Sequence, residues 1–228
     1  MLFLTEQDVQ ELFPVAEAIE RVQASLTAQA RGQAINRSRE RIFLPHTSLH
    51  YMAAALAEEH LVGIKIYTAS RDAVRFLVLL YDGTTGQLLC ALEADHLGRI
   101  RTGAASAVAT RYLARADATR VGLIGAGRQA RTQLEAVALV REITAARVFS
   151  RDAAKLREFC REMTEGLHLE VNCSIANWPC RTASSQQMKR DLARPGLMLQ
   201  RYLSPAGYWR GCLYKGAQFE LRSFGAAR

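Results

Sequence analysis

A glycine-rich turn lies in the middle of the chain, where a strand pattern meets a helix pattern. The apolar segment 120–124 is followed by Gly125, Gly127 and Ala130 in the order G-x-G-x-x-A. The first glycine permits a tight turn, the second lets a pyrophosphate approach the backbone, and the small third residue lets the helix pack on the strand. The helix N-terminus then faces the phosphates. We predict a dinucleotide site here, with an ordinary strand–loop–helix corner as the alternative.

The segments after this turn support the nucleotide interpretation. They predict a helix, a strand over 146–149, a second helix and a third strand over 167–171. Apolar residues recur at helical spacing in both helices, namely Leu134, Val137 and Val140 in the first and Leu156, Phe159, Cys160 and Met163 in the second.

The end of the second predicted strand indicates which nucleotide is preferred. NAD enzymes place an acidic residue on the ribose hydroxyls, whereas this chain has Ser150 and Arg151 there, with Lys155 one turn later. An arginine can pair with a 2′-phosphate that a carboxylate would repel. We therefore expect NADP(H) to be favoured over NAD(H), with a solvated surface Arg151 as the alternative. Asp152 is better explained as a first-turn acid of the following helix.

Two cations depart from the pattern around them. Lys65 lies between Ile64 and Ile66 and faces away from both. The alternative is that Lys65 simply belongs to the exposed face of a half-buried strand. Arg101 falls at the start of a helix predicted to open at Gly98, where a cation opposes the helix dipole. That position is reasonable if an anion docks there.

The front of the chain predicts a sheet domain with two leading helices. The Thr5–Asp8 spacing is typical of a capping box, Pro14 suits the first turn of a longer helix, and Gly32 suits its end. Extended segments are predicted over 41–44, 49–53, 62–67, 75–81 and 87–93. An alanine-rich helix then runs to about Leu113.

Several motifs occur together in order. They are Gly63-Ile-Lys65, Asp82-Gly-Thr-Thr-Gly86, Arg101-Thr-Gly-Ala-Ala-Ser-Ala-Val-Ala109, Tyr112-Leu-Ala-Arg115 and Gly122-Leu-Ile-Gly-Ala-Gly-Arg-Gln-Ala130. Over residues 1–172 the chain thereby resembles the ornithine cyclodeaminase/mu-crystallin family. The resemblance implies an α/β fold, in which an N-terminal α+β sheet domain for substrate and dimerisation (1–116) precedes a truncated Rossmann-type dinucleotide-binding domain (117–172). We expect the remaining residues, 173–228, to be an atypical basic tail, poorly ordered or aberrant.

The resemblance also implies roles for individual residues. Arg41 and Lys65 would hold the carboxylate and polar groups of the substrate, Lys65 being the catalytic residue. Arg101 and Thr102 would approach the cofactor. The pyrophosphate would be lined by the residues of the turn, which are Gly125, Ala126, Gly127, Arg128 and Gln129. Ser150 and Arg151 would contact the adenosine ribose. A carboxylate fixed by Arg and Lys would orient the substrate Cα toward the nicotinamide, which is a large part of hydride-transfer catalysis.

The activities that the resemblance implies are NAD(P)-dependent reactions of amino or imino acids. They include ornithine cyclodeamination, ketimine reduction and alanine dehydrogenation, usually in homodimers, and the sequence does not choose among them. The alternative is a catalytically inactive dimerising or nucleotide-binding remnant.

Composition excludes several other classes. The chain has 228 residues, of which 49% are hydrophobic and 23% charged, as in ordinary globular proteins. No apolar run approaches the ~18 residues of a membrane span, and the first residues lack a secretory pattern, so we expect a cytoplasmic protein with no membrane partner. The five cysteines lack metal or C-x-x-C spacing and are expected to be reduced; the five histidines are scattered, and no metal site is predicted.

The last quarter of the chain differs in character from the rest. Residues 173–228 carry nine basic and two acidic side chains, whereas residues 1–172 are nearly balanced. They lack the basic–aromatic pattern of a nucleic-acid site, so no nucleic-acid partner is expected. The family would continue here with a Thr-Ala-Thr strand end and an N-x-x-G-x-N segment before a catalytic Asp, and none of these is found. We therefore expect a frame-shifted or foreign ending and little or no turnover.

Overall fold

A computed structural model describes residues 1–174, 197–203 and 209–214. The chain divides into two compact units, Met1–Ala105 and Ser106–Arg228.

The first unit is built around one sheet. Its elements are β1 (Leu2–Leu4), α1 (Glu6–Leu12), α2 (Val15–Ala30), β2 (Ala34–Asn36), β3 (Glu40–Phe43), β4 (Thr47–Leu56), β5 (Leu61–Ser70), β6 (Val74–Asp82), β7 (Leu88–Glu93) and the first part of α3 (Asp95–Leu113). The strand order is β1-β7-β6-β5-β4-β2, with β3 also paired to β4. All pairs are antiparallel except β1 with β7.

The five predicted extended segments all lie within strands of this sheet or overlap one closely, whereas β1 and β2 were not predicted. Each of these two strands has three residues, which is too short for an alternating pattern to be recognised. β1 pairs in parallel with β7, on the side of β7 opposite to β6, and so forms one edge strand of the sheet.

The helix signals at the front of the chain are confirmed, except that the position of Pro14 differs by one residue. Thr5 and Asp8 form the predicted capping box, with the Thr5 amide donating to Asp8 Oδ2 at 2.8 Å. Pro14 is the N-cap of α2 rather than part of its first turn. Gly32 follows the end of α2 with a φ of +74°, a left-handed conformation that favours glycine.

The prediction that a helix opens at Gly98 is wrong, because α3 begins at Asp95. The reason lies outside the local sequence. The carboxylate of Glu6 accepts from the amides of Asp95 and His96, at 2.5 and 2.8 Å, and so caps the helix from a distant part of the chain. Arg101 is consequently in the second turn of α3 and not at its N-terminus.

The second unit contains a sheet flanked by two helices. After the end of α3 come β8 (Arg120–Ile124), α4 (Arg128–Ala138), β9 (Ala145–Phe149), α5 (Ala153–Leu167), β10 (Glu170–Ser174), β11 (Leu197–Leu203) and β12 (Trp209–Tyr214). The strand order is β10-β9-β8-β11-β12. The first four are parallel, and β12 is antiparallel to β11. Strands numbered in chain order thus give 3-2-1-4, which is the order of a Rossmann-type sheet.

Helices α4 and α5 pack their predicted apolar faces into the core of this unit. Leu134 and Val137 from α4 and Leu156 and Phe159 from α5 are fully buried, together with Val148 of β9. Burying each such side chain contributes about 1.5 to 3 kcal/mol. The core therefore fixes where the loops after β8 and β9 emerge.

One prediction about the end of the chain needs correction. The third strand, β10, spans 170–174 rather than 167–171, because α5 runs on to Leu167 and ends with His168 in a left-handed conformation. The expected poorly ordered tail falls mostly on residues outside the described ranges. Within the ranges 197–203 and 209–214 the chain forms β11 and β12, and β11 pairs with β8.

The expectation that all cysteines are reduced is also wrong. Cys160 of α5 and Cys173 of β10 form a disulfide. Their separation of 13 residues gave no motif; it is the packing of α5 beside β10 that brings the two Cα atoms to 6.3 Å. Cys90 is free.

The described part of the chain contains neither a membrane-spanning helix nor a metal-binding cluster. None of its helices combines the length and the apolar character that a membrane span requires. No group of three or more His, Cys, Asp or Glu side chains there is arranged to hold a metal ion.

Candidate active site

One face of the first unit's sheet carries the predicted Lys65. On β5, Lys65 lies opposite Met52 of β4 and Val78 of β6. Tyr67, two residues further along β5, lies opposite His50 and Phe76. Because side chains two residues apart, or directly opposite on neighbouring strands, share a face, these groups lie on one side of the sheet.

Lys65 is surrounded by an excess of positive charge. Burial, and after it the neighbouring charges of Arg101 and Arg39, lower its pKa to about 8, against an opposing effect of Asp95. Desolvation and the charge of Arg39 likewise lower the pKa of the Arg101 guanidinium, although part of that side chain remains exposed. Three cations thus influence one another beside the Asp95 carboxylate, which is itself 3.7 Å from Arg99. Such a site favours an added anion.

Aromatic rings form the floor under Lys65. Its Nζ atom lies 4.6 Å from the ring centroid of Phe76 and 5.9 Å from that of Tyr67. His50 stacks on Tyr67 at 4.4 Å between centroids, and the Arg39 guanidinium lies 5.7 Å from the Tyr67 ring. The site therefore pairs a cationic upper part with an apolar surface that a carbon skeleton could contact.

Gly98 of α3 lies close to the amine of Lys65. A Cβ added at Gly98 would lie 3.6 Å from Lys65 Nζ, so the helix backbone approaches the amine closely. Arg101 is one turn further along the same helix. Arg101 and Lys65 both belong to the first unit.

Arg41 shares the face of Lys65 but has a different immediate neighbour. It lies opposite His50 across the β3–β4 pair, and His50 lies opposite Tyr67. Desolvation lowers the pKa of His50, and the charges of Arg41 and Arg39 lower it further. It is Arg39, not Arg41, whose charge acts on both Lys65 and Arg101.

Two nitrogen atoms at this face lack hydrogen-bond partners within the described residues. They are Nε of Arg39 and Nδ1 of His50, both buried. The other ring nitrogen of His50 is 2.8 Å from Ser48 Oγ. Since buried polar groups are nearly always paired in proteins, the unpaired Arg39 donor is a further sign that a polar ligand completes this cluster.

In the second unit, the glycine turn has the geometry that its sequence predicts. Gly125 has a φ of +103°, a conformation that other residues rarely adopt, and its amide donates to the carbonyl of Phe149 at 2.7 Å. Gly127 is the N-cap of α4 and supplies no side-chain cap. A glycine cap therefore brings no side-chain oxygen that would compete with an anion at this end of the helix.

Arg131 anchors the turn from α4. Its Nη1 atom lies 3.4 Å from the carbonyl of Ala126, and its Nε donates to Glu162 of α5 at 2.6 Å. Arg131 was not predicted from the sequence, because an arginine in the second turn of a helix has no distinctive pattern.

The loop after β9 has a defined arrangement around its acid. Asp152 is the N-cap of α5 and accepts from the amides of Ala154 and Lys155, both at 3.1 Å. Hydrogen bonds from Lys155 lower the pKa of Asp152. The sequence predicted Asp152 as an acid in the first turn of α5. The structure shows that it is instead the N-cap of that helix. Arg151 beside it is exposed.

The predicted site residues fall into two groups. Arg41, Lys65, Arg101 and Thr102 belong to the first unit, and the turn residues with Ser150 and Arg151 belong to the second. Sequence reasoning missed Arg39 and Asp95. Arg39 lies two residues before Arg41 but precedes both the predicted strand and β3, so no strand pattern marks it.

A model of the Ornithine cyclodeaminase/mu-crystallin family matches residues 1–178. A delta(1)-pyrroline-2-carboxylate reductase of Bacillus cereus is 30% identical over 174 residues, covering 72% of this chain and 54% of the reductase. The chain therefore spans a little over half the length of this relative.

Two solved structures resemble the chain. One is the Thermococcus litoralis delta(1)-pyrroline-2-carboxylate reductase in complex with NADH and L-proline, with 34% identity, a TM-score of 0.72, and coverage of 76% of this chain and 57% of that one. The other is an archaeal alanine dehydrogenase dimer with bound NAD, with 26% identity, a TM-score of 0.72, and coverage of 76% and 56%. The predicted α/β fold with a Rossmann-type unit is confirmed by this likeness and by the strand order. The chain belongs to the ornithine cyclodeaminase/mu-crystallin family.

Proposed function

We propose that this protein is an NAD(P)H-dependent reductase of cyclic imino acids, of the kind represented by pyrroline-2-carboxylate. The observation that carries the proposal is the cluster of Arg39, Lys65 and Arg101 over an aromatic floor. The cluster offers two guanidinium groups to a carboxylate, an amine beside them and an apolar surface for a ring. Reductases of this substrate are among the relatives of the chain.

The residues of the second unit fit a dinucleotide. The positive φ of Gly125 and the missing side-chain cap at Gly127 leave the start of α4 open to a pyrophosphate. When bound, the reduced nicotinamide supplies a hydride to the imine carbon.

The side chains of the first unit supply the rest of the chemistry. Arg39 and Arg101 hold the substrate carboxylate, and Lys65 donates a proton to the imine nitrogen as that nitrogen becomes an amine. A pKa of about 8 suits this role, because the amine is largely protonated near neutral pH yet releases its proton readily. Arg41 then acts from β3, which is separated from β5 by β4, as a further cation for the substrate's polar groups.

The proposed cofactor is NADP(H) in preference to NAD(H). Arg151 is exposed after β9, and the nearby Asp152 carboxylate is used as a helix cap. Loss of a pair between Arg151 and the 2′-phosphate would cost roughly 1.5 to 3 kcal/mol, or about tenfold to a hundredfold in affinity. Calorimetry with both nucleotides tests this, and Arg151→Asp should reverse the preference. Equal or tighter binding of NAD(H) by the unmodified chain would contradict it.

The activity test uses the purified 228-residue chain with pyrroline-2-carboxylate, following NADPH absorbance. Oxidation that requires the imino acid supports the proposal. Lys65→Ala should abolish binding of a substrate analogue such as L-proline while nucleotide binding is largely retained. Oxidation supported equally well by Lys65→Ala would contradict the role given to the lysine.

Two other hypotheses compete with this proposal: that the protein is a cyclodeaminase, or that it has no catalytic activity. A cyclodeaminase would release ammonia from ornithine without net consumption of NADPH. A nucleotide-binding or dimerising protein without turnover would bind the nucleotide in calorimetry and show neither reaction. The same preparation thus separates all three.

A second copy of the chain is the proposed protein partner. Large apolar side chains are exposed on and beside β2 and β3, namely Ile35 (54%), Ile42 (53%), Phe43 (72%) and Leu44 (63%). Exposed apolar groups in one region commonly mark a contact surface. Light scattering should give the mass of a dimer, and Phe43→Glu should shift it toward the monomer.

A further inference from the structure

We propose that Lys65 is a covalent docking site for α-oxo acids, which form a reversible imine with its side-chain amine. The inference rests on the proposed carboxylate site and extends it to a second ligand class that needs no nucleotide. It is carried by the geometry of the first unit alone.

The surroundings of the amine are the first argument. The Nζ atom is placed over Phe76 at 4.6 Å and near Tyr67 at 5.9 Å, so apolar surface covers one side of it. Within the part of the chain that the structure describes, no carboxylate forms an ion pair with Lys65. A desolvated lysine beside other cations is the environment that activates an amine as a nucleophile.

The neighbouring guanidinium groups are the second argument. Arg39 and Arg101 both act on Lys65 electrostatically, and Arg39 Nε is a buried donor without a partner among the described residues. A carboxylate held by these groups would carry an adjacent carbonyl carbon to the amine. Holding both reactants in one site greatly raises their effective concentration.

The close approach of α3 at Gly98 is the third argument. A Cβ built on Gly98 would lie 3.6 Å from Lys65 Nζ. Glycine at this position therefore adds no side-chain atoms beside the amine. The lowered pKa of Lys65, about 8, adds that a sizeable neutral fraction exists at mildly alkaline pH.

The reaction balances without an oxidant or a reductant. The neutral Lys65 nitrogen attacks the carbonyl carbon, and the carbonyl oxygen takes a proton to give a carbinolamine. Loss of that oxygen as water, with the second amine proton, leaves a carbon–nitrogen double bond. The products are one imine and one water, and hydrolysis reverses the step.

The test traps the imine chemically. The full chain, without nucleotide, is incubated with pyruvate and sodium cyanoborohydride, which reduces the imine to a stable secondary amine. Peptide mass spectrometry then compares Lys65 with Lys155, whose side chain is 73% exposed and paired with Asp152. Labelling of Lys65 should exceed that of Lys155 by at least about tenfold, since the guanidinium groups hold the carboxylate of pyruvate beside the Lys65 amine. Comparable labelling of the two lysines would overturn the proposal.

Methyl pyruvate is the matched control for the carboxylate. It keeps the reactive carbonyl and lacks the negative charge, so its labelling of Lys65 should be at least about tenfold weaker than that of pyruvate. Arg39→Gln, checked for folding by circular dichroism, should reduce labelling by pyruvate more than labelling by methyl pyruvate. Both reagents meet fewer neutral amines when the charge of Arg39 is gone, but only pyruvate also loses a partner for its carboxylate. Equal labelling by the two reagents would refute docking through the guanidinium groups.

The outcome is independent of the reductase assay. Trapping at Lys65 without imino-acid reduction would support this inference and count against the proposed function. Reduction of pyrroline-2-carboxylate without trapping at Lys65 would support the proposed function and contradict this inference.

Discussion

The guanidinium of Arg131 on α4 and the carboxylate of Glu162 on α5 form an ion pair that joins the two helices of the second unit. Arg131 Nε lies 2.6 Å from Glu162 Oε2, and the guanidinium carbon is 5.3 Å from the ring centroid of Phe159. The same side chain also contacts the carbonyl of Ala126. One arginine thus connects the turn after β8 with the helix after β9.

Removing this arginine should destabilise the chain more than removing its partner. We expect Arg131→Ala to lower the free energy of unfolding by roughly 1 to 2 kcal/mol, because it loses both the pair and the packing on Phe159. Glu162→Ala should cost about 0.5 to 1 kcal/mol, since both side chains are about one-third exposed. Urea denaturation of both variants and the double variant measures the coupling. Additive losses would show that the pair contributes nothing.

Lys65 should make stability depend on pH in a defined window. Its pKa is about 8 in the folded chain, against an ordinary value of 10.5 that the unfolded chain is expected to have. Between these values the unfolded chain binds more protons, so stability rises with pH; below about 8 the full cost of the buried charge is present. We expect Lys65→Met to be more stable than the unmodified chain near pH 7 by up to about 3 kcal/mol, and this advantage to disappear near pH 10.5. Lys155→Met is the control, because that lysine is exposed. A pH-independent difference for Lys65→Met would contradict the lowered pKa.

The cap that Glu6 provides should be measurable as stability of the first unit. Glu6→Ala removes the acceptor of two backbone donors at the start of α3, and we expect a loss of about 1 to 2 kcal/mol in urea denaturation. Glu6→Gln should lose less, because its amide oxygen can still accept one of the bonds. Glu59, exposed in the turn between β4 and β5, is the control position for substitution by alanine. Equal effects at Glu6 and Glu59 would mean that the cap is unimportant.

Two glycines should respond to alanine in opposite directions. Gly125→Ala places a side chain at a φ of +103°, so we expect a loss of roughly 1 to 3 kcal/mol and weaker binding of the nucleotide. Gly166 lies inside α5 with a φ outside the left-handed region and no neighbour within 4 Å of an added Cβ. Gly166→Ala should therefore stabilise the chain by about 0.5 to 1 kcal/mol. Thermal unfolding and calorimetry check both, and a neutral Gly125→Ala would argue against the strained turn.

The sequence predicted local structure well wherever nearby residues determine it. The capping box at Thr5, the glycine turn at 125–127 and the apolar faces of α4 and α5 all depend on spacings of a few residues. The start of α3 was missed because its cap, Glu6, is 89 residues away from Asp95. The disulfide was missed for a similar reason, since only the packing of α5 on β10 brings Cys160 and Cys173 together.

The candidate site could be predicted only in part, because its residues come from several strands. Lys65 could be predicted as a site residue because a lysine between two isoleucines is unusual in a strand. Arg39 could not, because it precedes the predicted strand, and only the pairing of β3 with β4 sets it beside the rings of β5. Charge clusters that assemble across strands require a known register, which single-strand patterns do not contain.

The attachment of the first six residues has a consequence for the order in which the protein folds. β1 pairs with residues 90–92 of β7, and Glu6 bonds to the amides of residues 95 and 96. During synthesis β1 and Glu6 therefore leave the ribosome long before their partners exist, because nearly a hundred residues lie between the two contacting segments. Closing so long a loop is entropically costly and slow relative to forming local turns. The first unit should thus complete its sheet late, with β1 among the last strands to dock.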